Sequence, residues 1–482
     1  LGPLNSSTGC FWMKQVFMDK GVGGIGGGIG DEAWEPRYEH DGTKLSKFPV
    51  PKRRPSTTAR RFDRLARELS TILPAAICAR EVPTARRVVA ARKRCEEISS
   101  LEISLQEEID WECYRLYGIL DEELVYPKEN VPPLQLGQRA FEIVLARKIE
   151  AGEVETTWFE RHGSSPTTEI PSHWPEDYRK LVQRRIEAIE QIPEIGLIER
   201  PEYKRRWNTE SWESQEERAL RGWLLDRLED KRHWPEIALT STARLADSVR
   251  KDEELMQVAA LYRKNPDFDV ATLVAELVEE ESVPFLPVYR YKDSGLRNRK
   301  QWEETWALQR REDEIDARTK LPEGDPNRLS KEEAEALKAK EVGDIPVPPK
   351  YSSKDFKKQS YWRLRGKLDV PKERFVSYPG CEREADPTTV VAWAGWNHLE
   401  QARALAGYYV QMRDQEGWPA DRLVPLLAGI VELLPWLRQW HNDVDPEYNV
   451  RMGDYYADFV REEARRLGLT EEKICEWQPG WR

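Results

Sequence analysis

The stretch Ser56–Leu73, STTARRFDRLARELSTIL, decides the fold class. Phe62, Leu65, Leu69 and Ile72 recur at spacings of three and four, which lines them up on one face of an α-helix. Ser56, Thr57 and Thr58 stand ahead of that face and can accept from the free N–H groups of a first helical turn. The same rhythm runs on toward the C-terminus. It predicts helices over Thr84–Leu120, Leu136–Glu150, Tyr178–Ile192, Glu213–Asp230 and Leu239–Lys264, broken at Gly163–Pro175 and Pro193–Pro201. The segment Glu312–Pro349 is dense in charge and ends in prolines, and KEEAEALKAKE within it reads as an exposed helix or linker. Beyond it, VVAWAGWNHLEQARALAGYYVQM, LVPLLAGIVELLPWLRQW and DYYADFVREEARRLG read as three amphipathic helices with enough Leu, Val and Trp for a core of their own. Toward the N-terminus, Leu4–Met18 predicts one more helix, and Tyr38, Leu45, Phe48 and Val50 lie in short extended segments between turn residues.

The expected fold class is therefore mainly α and multidomain: a small mixed α/β region at the N-terminus, long helices, then a helical C-terminal domain. Boundaries are placed at 1–56, 57–200, 201–345 and 346–482. A chain of 482 residues is long enough for several cores. It opens at Leu1 without an initiator methionine and is expected to be a piece of something longer. No repeat of fixed period is present. No run of about 18 apolar residues exists to span a membrane, and no signal peptide pattern is found. The six cysteines are scattered without a C-x-x-C pair, which points to reduced thiols in the cytoplasm rather than a disulfide framework or a zinc site. The six histidines are equally dispersed, and His162, His173 and His233 are expected in structural or surface roles, not metal ligation.

Two motifs invite an enzymatic reading and fail it. Gly21, Gly23 and Gly26 fit G-x-G-x-x-G. A dinucleotide site needs a buried strand ahead of the glycines and a helix N-terminus behind them. Here a helical segment precedes the glycines, and Asp31, Glu32, Glu35 and Pro36 follow. Asn265–Phe268, NPDF, is one residue from the N-P-P-[FYW] tetrapeptide that holds a flipped base in amino-group DNA methyltransferases. Asp267 replaces the second proline, and the tetrapeptide falls between two helical segments.

Charge supplies a better lead. The net charge is −11, yet Lys44–Arg67 carries nine Lys/Arg against Asp63 alone. Local positive charge on an acidic chain is the pattern of a phosphate-contacting stripe, with a solvated helix face as the alternative. A second cluster, YRYKDSGLRNRK, sets Arg290, Lys292, Arg297, Arg299 and Lys300 beside Tyr289 and Tyr291. A third, Lys350–Arg374, mixes Tyr361 and Trp362 with basic residues.

The run LNSSTGCFWMKQV…DKG…GIGGGIGDEAWE…YEHDGTKLSKFPVP resembles the end of the target-recognition part of the large adenine-specific DNA methyltransferases of BREX phage-defence systems, the PglX family. Downstream, IDWECYRLYGIL, LGQRAFEIVLARKI, GLIERPEYKRRWNTESWE, LPVYRYKDSGLRNRKQWEETWALQRRED, YWRLRGKLDVPKERFVSYPG and WAGWNHLEQA resemble the type 2 version of that family. The resemblance covers essentially the whole chain. It implies a methyltransferase domain dependent on S-adenosylmethionine ahead of Leu1. The family's donor-binding and N-P-P-[FYW] motifs match no position here, so no catalytic, cofactor-binding or metal-binding residue is expected and the chain alone is expected to be inactive. What carries over is a recognition role for Leu4–Pro51 through Asn5, Trp12, Gly42, Thr43, Lys44, Leu45, Phe48 and Pro49. The residues then expected to touch DNA are Lys14, Lys20, Lys44, Lys47, Lys52, Arg53, Arg54, Arg60 and Arg61, with Arg290, Lys292 and Arg297 from the second cluster. The expected partners are double-stranded DNA and other BREX components, with no membrane. The alternative is a protein-interaction module that docks defence-system partners or a phage inhibitor without touching DNA.

Overall fold

A 32-residue helix, Ala85–Leu116, organises the first of the two units into which the chain divides, Leu1–Leu220 and Arg221–Arg482. The computed structural model describes residues 2–19, 32, 34, 36–207, 210–366, 372–446 and 449–480. Thr84 caps the long helix, its hydroxyl accepting from the backbone N–H of Arg87 at 3.2 Å. At 1.5 Å per residue the helix is about 48 Å long. Every residue from Glu102 to Trp111 is buried, so that stretch runs inside the unit with no solvent-facing side. Such a helix must bring its polar side chains partners, because burying an unpaired carboxylate costs several kcal/mol.

The other helices of the unit surround it. Ser56–Ile72 runs alongside it, Thr58 donating to Glu112 near the end of the long helix and Glu68 pairing with Arg94 in its first half. It buries Leu65 and Ile72 with Phe62 and Leu69 partly covered, as their spacing predicted. The helices Ala140–Glu150 and Glu176–Gln191 close over the second half through Phe141, Ile143, Tyr178, Val182 and Ile186. Pro193–Pro201, expected to be a break, contains the short helix Pro193–Ile198 and begins a 3-10 turn at Pro201–Tyr203.

In the second unit the C-terminal region departs from the all-helical expectation. Four short strands form one sheet in the order Thr240–Ser241, Val390–Trp393, Phe375–Ser377, Ser282–Pro284. The first two pairings are antiparallel and the last is parallel, with Val376 opposite Ala392 on one side and Val283 on the other. Val390–Ala392, expected to start a helix, is therefore a buried strand. A short apolar run with two valines suits either state by pattern alone, and its neighbours in the sheet decide. The helix begins later, at His398, where Asn397 and Glu400 form a reciprocal capping box: Asn397 N–H donates to Glu400 Oε2 at 2.8 Å and Glu400 N–H to Asn397 Oδ1 at 2.9 Å.

Leu239–Lys264 is likewise not one helix. It splits into the Thr240–Ser241 strand and the helices Thr242–Val249 and Glu253–Arg263, each started by its own cap, Ser241 and Asp252. Ala420–Trp440 and Met452–Arg466 complete the C-terminal stack with His398–Asp414. The KEEAEALKAKE segment is a helix, Lys331–Glu341, opened by a Ser330–Glu333 capping box and fastened to Asp293–Thr319 by Lys338–Asp316 at 3.0 Å. It is part of the fold.

Candidate functional site

The predicted basic stripe is held up by the N-terminal region, which is tied to the long helix. The Leu4–Met18 segment turns at Pro3–Asn5 and becomes helical at Ser7–Val16, capped by Ser6 accepting from Gly9 N–H at 3.1 Å. Ser7 then docks on Asp110: its backbone N–H donates to Oδ1 at 2.8 Å and its hydroxyl to Oδ2 at 2.7 Å. The Asn5 carbonyl accepts from Gln106 Nε2 at 2.8 Å. The LNSS motif thus serves as a clasp onto buried side chains of the long helix.

Asp110 is part of a larger buried network. Lys204 Nζ bridges Asp110 Oδ2 at 2.9 Å and Glu199 Oε1 at 2.8 Å, and the Tyr114 hydroxyl donates to Glu199. Arg185 pairs with Glu108 at 2.8 Å and Arg139 with Glu142 at 2.7 Å, every one of these side chains being buried. Burial pushes the Glu199 carboxyl up to about 7 even though Lys204 pulls it down. Sequence reasoning missed these groups. A signal existed: Glu107, Glu108 and Asp110 interrupt the apolar face of a helix that carries Trp111 and Tyr114, which calls for buried cationic partners.

The GTKL segment, expected to be extended, forms the short helix Gly42–Leu45, with Asp41 accepting from Lys44 N–H at 2.7 Å. The motif aromatics hold it down. Trp12 meets Phe48 edge to face at 5.2 Å between ring centroids, and Phe17 packs on His40 at 4.6 Å. The expected strand at Tyr38 is present as a two-residue ribbon, Met18–Asp19 against Tyr38–Glu39. Tyr117, just beyond the long helix, donates its hydroxyl to the Pro49 carbonyl at 2.7 Å. The chain is thereby anchored immediately before Lys52, Arg53 and Arg54, all three exposed, and again at buried Pro55.

Lys47, Arg60 and Arg64 are also exposed. Among the described residues, no carboxylate lies within ion-pair distance of Lys47, Lys52, Arg53, Arg54, Arg60 or Arg64, whereas Lys44 pairs with Asp41 at 3.7 Å and Arg67 with Asp63 at 3.0 Å. Arg61 is half-buried and donates to the Glu129 carbonyl. A set of unpaired, solvated cations beside a rigid anchor can meet a polyanion without first breaking internal ion pairs.

The remaining predicted residues lie elsewhere. Lys14 is partly buried, its Nζ without a hydrogen-bond partner and 5.2 and 5.8 Å from the Tyr38 and Tyr203 rings, and burial lowers its pKa. Lys20 and the glycines Gly21, Gly23 and Gly26 lie outside the described residues. Past them, Glu32 accepts from Thr157 N–H at 2.5 Å and Trp34 packs edge to face on Trp158 at 5.5 Å. Arg290, Lys292 and Arg297 belong to the second unit. Lys292 and Arg297 are exposed at the start of Asp293–Thr319, while Arg290 is buried. Asn265 of NPDF spends its side chain on its own turn, its Oδ1 accepting from Asp267 N–H at 2.9 Å. No group of three or more metal-ligating side chains is found among the described residues. No described helix is long and apolar enough to cross a membrane.

Three comparisons bear on what this arrangement belongs to. Residues 102–482 match the family described as a domain of unknown function, DUF7008. Over 490 aligned residues the chain is 46% identical to a protein of Streptomyces coelicolor named adenine-specific methyltransferase PglX. That alignment takes in 99% of this chain and 38% of the relative, so the chain spans well under half of the relative's length. No solved structure matches it. The chain belongs to the DUF7008 family and is a partial homologue of the adenine-specific methyltransferase PglX.

Proposed function

We propose that this chain is the target-recognition and scaffold part of an adenine-specific DNA methyltransferase of a BREX phage-defence system, acting in the cytoplasm on duplex DNA. In this reading Lys47, Lys52, Arg53, Arg54, Arg60 and Arg64 follow the DNA backbone, Lys44 and the GTKL turn face a groove, and other defence-system components bind elsewhere. The observation that carries the proposal is the pairing of a likeness to PglX over 99% of the chain with a set of exposed cations that no carboxylate among the described residues neutralises. Contacts of this kind orient a protein on duplex DNA and carry no sequence information by themselves.

Methyl transfer would be performed by the rest of the parent enzyme, which would hold S-adenosylmethionine. The residues described here do not fit the base-holding role, since the Asn265 amide is consumed in its own turn. No step is assigned to this chain beyond binding and orienting the duplex.

The test is a filter-binding titration of duplex DNA at several salt concentrations. Binding is expected to be weak, largely independent of sequence and steeply salt-dependent, because its free energy comes from released counterions. Replacing Lys52, Arg53 and Arg54 together with Ala is expected to flatten the slope of log K against log salt by about two to three units, at about 0.9 per lost phosphate contact. These side chains make no ion pair among the described residues, so the melting temperature is expected to stay within about 2 °C. An unchanged slope removes the stripe from the DNA interface. Absence of duplex binding at moderate salt favours the protein-interaction alternative instead.

A further inference from the structure

The second unit contains a cavity of about 1250 Å³ that the reading above does not use. One wall is a cluster of indoles. Trp302, Trp306, Trp436 and Trp440 neighbour one another at centroid distances of 5.0 to 6.2 Å, and the His398 ring stacks on Trp436 at 5.7 Å. Trp440 is 56% exposed, a large apolar surface for an unliganded protein to leave in water. His398 is neutral at physiological pH: burial, with His441 and Arg365 nearby, pulls it down to about 4.

Behind this wall lies a smaller chamber of about 330 Å³, which shares Arg299, Arg365, His398, Glu432 and Trp436 with the first. Three guanidinium groups line it. Arg299 is paired with Glu432 and with Glu303, and Arg365 with Glu373. Arg290 has no such partner. It is 4% exposed, its Nε is buried without a hydrogen bond, and no carboxylate among the described residues lies within ion-pair distance of it. An uncompensated buried cation is costly, and an anion from outside would compensate it. Burial, together with Arg365, lowers the Arg290 guanidinium to about 9, which leaves it charged at neutral pH.

We propose that this double cavity binds a nucleotide, its base stacked on the Trp302–Trp306–Trp436 wall and its phosphate paired with Arg290. The two chambers match the two halves of such a ligand. A planar base finds aromatic faces, worth about 1–3 kcal/mol per stacked base. A phosphate finds a planar fork of donors in a buried site. Arg290 is the one guanidinium of the three without a carboxylate at ion-pair distance among the described residues, and a single such fork suits a monoester or diester better than a triphosphate. The proposal stands apart from duplex binding by the first unit, and its test needs no duplex.

The experiment is isothermal titration of the 482-residue chain with adenosine 5′-monophosphate, and separately with adenosine and with inorganic phosphate. One-site binding of the monophosphate is expected, with each half-ligand at least about tenfold weaker, the equivalent of about 1.4 kcal/mol. Arg290→Met is expected to abolish binding while raising or preserving the melting temperature, because it removes a buried charge that no carboxylate among the described residues pairs. Trp306→Leu, in the indole wall, is expected to weaken the monophosphate and adenosine alike by roughly tenfold. Displacement of the monophosphate by a 5′-phosphorylated single-stranded decamer identifies a strand end as the natural source, and failure to displace it identifies a free nucleotide. No binding of the monophosphate up to about 1 mM overturns the proposal, as does full binding by Arg290→Met.

Discussion

Replacing Lys204 with Met tests the buried network that carries the recognition segment. Lys204 Nζ sits 2.9 Å from Asp110 and 2.8 Å from Glu199, and all three residues are buried. Removing one member of a buried pair costs about 3–5 kcal/mol, because the other charge stays behind. For a unit of this size that corresponds to a fall of about 6–20 °C in melting temperature, at about 2–4 °C per kcal/mol. The loss is expected to depend on pH, and its sign follows from Glu199. Burial holds that carboxyl at about 7, above its ordinary 4.5. An acid raised in the folded state contributes stability at low pH and loses it as pH climbs from 4.5 to the folded value. Lys204 lowers the Glu199 pKa, so in the variant it rises beyond 7 and the losing range extends upward. Between pH 6 and pH 8 the variant therefore loses stability over a wider range than the native protein, and its deficit is larger at pH 8. Thermal melts at the two pH values measure this, with hydrogen exchange over residues 102–116 assigning the transition to the first unit. A variant within about 1 °C of the native protein at both pH values, well below the shift expected from a broken buried pair, refutes the reasoning. So does a deficit larger at pH 6.

Two further outcomes follow from the clasp and the tether. Ser7→Ala removes a hydroxyl from the buried Asp110 carboxylate and is expected to destabilise the first unit by about 1.5–3 kcal/mol, the range for bonds to charged groups; limited proteolysis is expected to cut first within residues 2–19, and cleavage there at the native rate contradicts the docking. Tyr117→Phe frees the Pro49 carbonyl at a cost of about 0.5–1.5 kcal/mol; it is expected to expose residues 49–54 to protease while leaving the salt slope of DNA binding unchanged, since no cation is removed, and an altered slope shows that the tether also shapes the interface.

Apolar spacing of three and four was enough to find the helical character of the protein, its buried Leu65–Ile72 stripe and the C-terminal stack, because helix formation is local and the core-facing period is written residue by residue. The basic stripe was legible for the same reason: charge density along Lys44–Arg67 is a property of composition. The four-stranded sheet of the second unit was not legible, since Val390–Trp393 becomes a strand only through Phe375–Ser377 and Thr240–Ser241 on either side of it. Nor could spacing reveal that Lys204 reaches back 94 positions to Asp110, or that Arg290, reading as one more surface cation beside Lys292, is buried without a described carboxylate at ion-pair distance while its neighbour stays in water. Periodicity records which face a residue turns toward the interior. Whether a buried charge there meets a counter-charge depends on segments far away in the chain, and only the tertiary structure brings them together.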